Sequence, residues 1–132
     1  MTHPKGTFRF TYFTDKYQET FDFYKQQLSF NLAHSWDRSK HDKGALFEAG
    51  KGVIEILHRA EKEEHRIPGL DYRIPQGVFM GIQVWNIDEL YQTFLSRDIP
   101  FNQEIIDQSW GHRSFSITEP NGLTLFFYQE QF

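Results

Sequence analysis

Apolar and polar residues alternate over residues 7–13: Phe8, Phe10 and Tyr12 fall on one face, Arg9, Thr11 and Phe13 on the other. A period of two predicts a strand buried on at least one side. Asp15, with Gln18 three residues on, predicts a capped helix start. The helix then carries Tyr17, Phe21, Tyr24 and Leu28 at i, i+4, i+7 and i+11, a single apolar stripe. Residues 30–36 read as a second strand. Asp42-Lys43-Gly44 is a turn signal, residues 45–47 form a short strand, and Ala49-Gly50-Lys51-Gly52 is a second turn before the β-rich run Val53-Ile54-Glu55-Ile56-Leu57. The predicted order is βαβββ.

Residues 59–77 break the pattern. Glu61, Lys62, Glu63 and Glu64 are followed by Pro68-Gly69 and Pro75, which reads as a solvated connector with one short helical turn. The order then repeats. Residues 78–85 are a strand, and Asn86 with Glu89 starts a helix whose apolar face is Leu90, Tyr91, Phe94 and Leu95. Pro100 bars its continuation. Residues 101–107 and 113–117 are strands, Glu119-Pro120-Asn121-Gly122 is a tight turn, and residues 123–129 close the half.

The two halves also share residues. Phe23-Tyr24-Lys25-Gln26-Gln27-Leu28-Ser29-Phe30-Asn31 returns 71 positions later (23 to 94) as Phe94-Leu95-Ser96-Arg97-Asp98-Ile99-Pro100-Phe101-Asn102, and at that offset Glu55 lands on Phe126. Two copies of one supersecondary unit, rather than a solenoid, fit this length. The expected fold is α+β: one domain of two βαβββ modules (7–58 and 78–129, joined by the connector 59–77), with curled mixed sheets around a shared cleft where a ligand would sit.

Composition narrows the chemistry. With no Cys among 132 residues, disulfides, thiolate metal sites and a Cys nucleophile are excluded. The N-terminal Met1-Thr2-His3-Pro4-Lys5-Gly6 has no apolar leader core, and no apolar run reaches spanning length, so a cytoplasmic location with no membrane partner is expected. A net charge of −4 without a basic block argues against nucleic acid. Gly50-Lys51-Gly52 lacks the frame of a phosphate loop, and no nucleophile elbow is present. Fourteen Phe, six Tyr and three Trp are enough to fill a small core and to line a pocket for a flat ligand.

Two motifs in this repeated frame, Phe23-Tyr24-x3-Leu28-x-Phe30 and Trp110-Gly111-His112-Arg113-Ser114-Phe115-x3-Glu119-Pro120-Asn121-Gly122, resemble the glyoxalase/bleomycin resistance/dioxygenase superfamily, the vicinal oxygen chelate fold, over nearly the whole chain. The family's turn commonly reads Asp-Pro-Asp-Gly; here Glu119 and Asn121 replace the two Asp. In the family's enzymes up to four side chains, mostly His and Glu, hold a divalent metal. They come from the first strand of each half, near its start, and from the last strand of each half. Mapped here, those positions fall near Phe8, Arg9 or Phe10, near Met80 or Gly81, and at Glu55 and Phe126. Only Glu55 is a usual ligand, whereas a catalytic metal typically needs three protein ligands. The resemblance is therefore nearest in type to the metal-free bleomycin resistance proteins. It implies no metal, no cofactor, and a homodimer whose clefts sequester a small molecule; an aromatic wall with Glu55 as its one carboxylate suits a flat ligand bearing a cationic group. The alternative is a lyase, isomerase or dioxygenase-type enzyme using Glu55 and unorthodox ligands such as His34 or His58. A third is an interaction module with a vestigial cleft.

Candidate ligand-binding residues follow. Trp110 matches the stacking Trp of the resistance proteins, or else packs on its own hairpin. Glu55, among Val53, Ile54, Ile56 and Leu57, either faces the cleft to meet a cation or act as a base, or pairs structurally with an Arg or Lys, or lies on a solvent face of the strand. His112 and Arg113 are neighbours on a strand, so at most one enters the cleft. Trp36 either covers the cleft mouth or belongs to the core. Phe126, on the Thr124-Phe126-Tyr128 face, is expected to be cleft wall.

Overall fold

The computed structural model describes residues 6–131, so the N-terminal stretch read above lies mostly outside the described residues. The first half runs β1 (Arg9–Thr14), α1 (Tyr17–Asp22), a π-helical turn over Phe23–Gln27, β2 (Leu32–Ser39), β3 (Asp42–Ala49) and β4 (Gly52–His58). A short 3-10 turn, Glu63–His65, lies in the connector. The second half runs β5 (Phe79–Gln83), α2 (Ile87–Ser96), β6 (Gln103–Asp107), β7 (His112–Thr118) and β8 (Thr124–Glu130). The halves form separate four-stranded sheets of matching order, β1-β4-β3-β2 and β5-β8-β7-β6. In each, the first strand runs parallel to the last and the other pairs are antiparallel. The α+β class and the two βαβββ modules are therefore present.

Strand alternation gives each sheet two unlike faces. On the first sheet Tyr12, Ala45, Phe47, Ile54 and Ile56 face inward; on the second Ile82, Phe115, Ile117, Leu125 and Phe127 do. Both inward faces, with Tyr24 of the π-helical turn, Leu28 just after it, and Ile87 and Phe94 of α2, form one continuous core. Phe30 of the first half meets Phe127 of the second edge-on at 6.4 Å. The sheets thus share a core and do not close on one another: the opposite, open face of each points away from it. Among the described residues no helix is long and apolar enough to cross a membrane.

A buried polar clasp also joins the halves. Glu119, only 2% exposed, accepts hydrogen bonds from the Tyr12 hydroxyl (2.8 Å), the Asn121 side-chain amide (2.8 Å), and the backbone N–H groups of Asn121 (2.5 Å) and Leu123 (2.9 Å). Tyr12 and Tyr24 share a hydroxyl contact of 2.8 Å. Burial first, then the neighbouring Tyr24 and Glu119, push the Tyr12 hydroxyl far above the usual tyrosine range, so it remains a proton donor. Asn121 extends the clasp, accepting from Thr14 at 2.6 Å and donating to Thr20 at 2.9 Å. Gly122 closes the turn at φ +92°, a conformation that side-chain-bearing residues rarely adopt.

Several local expectations are corrected. Asp15 does not cap α1; its carboxylate is taken by Arg59, 44 residues away, and Gln18 donates to Asp22 instead. Asn86 stands at the N-cap of α2 without a side-chain bond, and Gln129 of β8 accepts the Ile87 N–H at 3.0 Å in its place. Asp42-Lys43-Gly44 is not a turn but the start of β3. Gly44 is glycine for another reason: a Cβ there would lie 2.1 Å from the Trp36 ring.

Candidate functional site

The register locates the open-face positions. Thr11 pairs with Glu55 across β1 and β4, and Gly81 pairs with Phe126 across β5 and β8. These four residues are equivalent under the repeat. Phe8 lies just before β1, and Phe10 and Met80 pack against the core cluster. The first-strand positions are therefore Thr11, one residue beyond the stretch mapped from sequence, and Gly81, one of the two residues mapped there.

On the first sheet, Glu55 is 8% exposed although it lies on the open face. Thr11 donates to its Oε1 at 2.8 Å and Arg9 to its Oε2 at 3.2 Å. The Arg9 side chain is half exposed, so this is a single contact that water competes for. Trp36, on β2, lies across Gly44, donates from Nε1 to Asp42 at 2.9 Å, and carries the Arg38 guanidinium 5.6 Å from its ring centre. It belongs to the open face rather than to the core. Phe13 stands on the same face as Thr11 and stacks on Tyr72 of the connector at 4.0 Å.

On the second sheet the open face carries a ladder of rings. Trp110 meets His112 edge-on at 6.4 Å, His112 stacks on Tyr128 at 4.6 Å, Tyr128 lies 6.2 Å from Phe126, and Phe126 meets Phe79 at 6.1 Å. Gly81 leaves the floor between them open. Together they line a depression of about 720 Å³. Gln108 donates to Gln103 of β6 and Ser114 of β7 beside it.

The structure thus brings Trp110, His112 and Phe126 together on one sheet, and places Glu55 and Trp36 on the other. Arg113 points to the opposite side of β7 from His112, where it donates to Asp88 and Asp107. Those bonds, Asp88 first, hold its guanidinium above the ordinary arginine value. Thr11, Tyr128 and Phe79 were not among the candidates read from sequence, and Arg9 and Gly81 were named there only as mapped metal-ligand positions. The strand alternation held the signal for Thr11 and Tyr128, which share faces with Arg9 and Phe126.

A metal does not fit these positions. Thr11, Glu55, Gly81 and Phe126 supply one carboxylate, and both its oxygens are engaged. Among the described residues no group of three or more His, Cys, Asp or Glu could hold an ion.

A family model described as the Glyoxalase/Bleomycin resistance protein/Dioxygenase superfamily matches residues 7–127. The chain belongs to this superfamily. Solved structures share its fold at low identity. A member of the superfamily from Sphaerobacter thermophilus is 19% identical with a TM-score of 0.70, over 96% of this chain and 98% of that one. A lactoylglutathione lyase from Agrobacterium tumefaciens is 14% identical with a TM-score of 0.67, over 97% and 96%. TioX from Micromonospora sp. ML1 is 14% identical with a TM-score of 0.69, over 96% and 99%. At such identities the likeness shows the fold alone. No curated protein matches the sequence.

Proposed function

We propose that this superfamily member is a metal-free binding protein that sequesters a flat small molecule between two copies of the chain. The observation that carries the proposal is the ring ladder from Trp110 to Phe79, with Phe126 standing where a metal ligand would. Offset and edge-on rings of this kind offer a planar ligand stacking worth about 0.5–1.5 kcal/mol per contact beyond the area buried. The open faces of one chain point away from a common core, so a single copy cannot enclose a ligand between them. A homodimer that sets the first sheet of one copy against the second sheet of its partner would join Glu55 and Trp36 to the ladder, and would cover Phe8, Phe79 and Trp85, which are 76%, 69% and 80% exposed.

Within that cleft Glu55 reads a cationic or hydrogen-bond-donating group. Its hold on Arg9 is a half-exposed pair of the kind worth about 0–1 kcal/mol, so a ligand cation can replace the guanidinium. Tryptophan-fluorescence titration of the purified protein with planar cations and their neutral analogues tests this. Glu55→Gln, which keeps shape and removes charge, is expected to weaken the cations by about tenfold and the neutral analogues little, the difference between a charged and a neutral hydrogen bond. Equal loss for both sets would make Glu55 structural, and no binding of either by the wild type would sink the proposal.

A further inference from the structure

The connector is tied down at several points. Arg59 forks onto Asp15 at 2.8 and 2.9 Å. Arg66 donates to the Ala60 carbonyl at 2.9 Å and lies 5.0 Å over Tyr72. The Tyr72 hydroxyl accepts the Ile67 N–H at 2.8 Å, and its ring covers Phe13. Residues 70–78 thereby wall a depression whose other side is Thr11, Phe13 and Leu57 of the first sheet. A further fastening joins the connector to the tip of the β2–β3 hairpin. His65, in the 3-10 turn, stacks face to face on His41 with ring centres 3.8 Å apart and planes 12° apart.

Two neutral imidazoles stack favourably; two imidazolium ions at that distance repel. The surroundings add positive charge: Lys40 beside His41 on the hairpin, Lys62 just before the turn, and His58 of β4. Asp42, next to His41, is taken by Trp36 and Arg38. Glu64 lies 3.5 Å from Nε2 of His65 and can offset one proton there. Stacked rings hold their nitrogens in parallel planes, which does not aim them at a common metal ion.

We propose that the His41–His65 stack is a proton-released fastening: it tolerates one imidazolium, and a second detaches the connector from the hairpin and uncovers the Phe13–Leu57 edge of the first sheet. The direction of titration agrees. Partial desolvation first, then His65, Lys40, His58 and Lys62, lower the His41 pKa. The docked state therefore binds fewer protons than the released one. Docking is at full strength above the ordinary histidine value of about 6.5 and is lost as the pH falls through the lowered value. The proposal concerns the connector alone and stands whatever the open faces bind.

Amide hydrogen exchange of the full chain, read by mass spectrometry and corrected for intrinsic rates, tests it. Going from about pH 7.5 to about pH 5.5, on either side of the histidine range, exchange over residues 61–78 is expected to rise roughly fivefold, the size set by two unit charges about 4 Å apart in water. β3 and β4 should be unchanged. His41→Phe keeps a stacking ring without a titrating nitrogen and should hold the connector at both pH values; His65→Phe is the independent second variant. Equal corrected exchange of the wild type at both pH values, or a pH response that persists in both variants, would overturn the proposal.

Discussion

Replacing Glu119 with Ala is expected to cost on the order of 3–5 kcal/mol of folding stability, because it strips several buried neutral donors of their shared acceptor. The variant leaves the N–H groups of Asn121 and Leu123 without the acceptor they use, and deprives Tyr12 of one of its two hydroxyl partners. Each buried donor so abandoned costs about 1–3 kcal/mol. For a chain of this size the midpoint of thermal unfolding should fall by on the order of 10–20 °C. Glu119→Gln, which preserves shape and one acceptor oxygen, should lose less, and Tyr12→Phe less again because Asn121 and Leu123 keep their acceptor. Calorimetry on the three variants checks the order. If Glu119→Ala melted with the wild type, the clasp would not be what holds the halves together.

Replacing Gly81 with Ile is expected to weaken ligand capture strongly while leaving the fold intact. A Cβ at Gly81 meets only the Tyr128 ring, at an ordinary 3.6 Å, and a β-branched residue suits a strand better than Gly does. The rest of the side chain projects from the open face into the floor between Phe79, Phe126 and Tyr128. Overfilling a packed site costs about 1–3 kcal/mol, so affinity for a planar ligand should drop roughly tenfold to a hundredfold with an unchanged or higher melting temperature. Unaltered affinity would place the ligand elsewhere than on the ladder.

Both variants act on features that differ in how far local sequence discloses them. The order of elements was legible because β1 alternates with a period of two, turn signals bracket the β-rich run of β4, and α2 carries a helical stripe. The face of Phe126 was legible from strand alternation, as was the opposition of His112 and Arg113. What the sequence concealed lies in long-range partners. Asp15 has the form of a cap, but Arg59 takes it; Asn86 has the same form, but Gln129 supplies the acceptor. Gly44 sits in a run with turn chemistry, yet it is glycine because Trp36 lies on it across the hairpin. Glu55 was visible as a carboxylate in an apolar run, whereas its partners Arg9 and Thr11 come from a strand about 45 residues earlier. The sharing of one core by both halves depends on packing between elements that no local pattern records, and it decides that the open faces point apart.

Native mass spectrometry of gently purified protein tests the central claim most directly, because one spectrum reads both the assembly and any bound ion. The account predicts a homodimer whose mass leaves no room for a stoichiometric divalent metal. A monomer at micromolar concentration, or one zinc, nickel, iron or manganese per chain that disappears in Glu55→Gln, would contradict it.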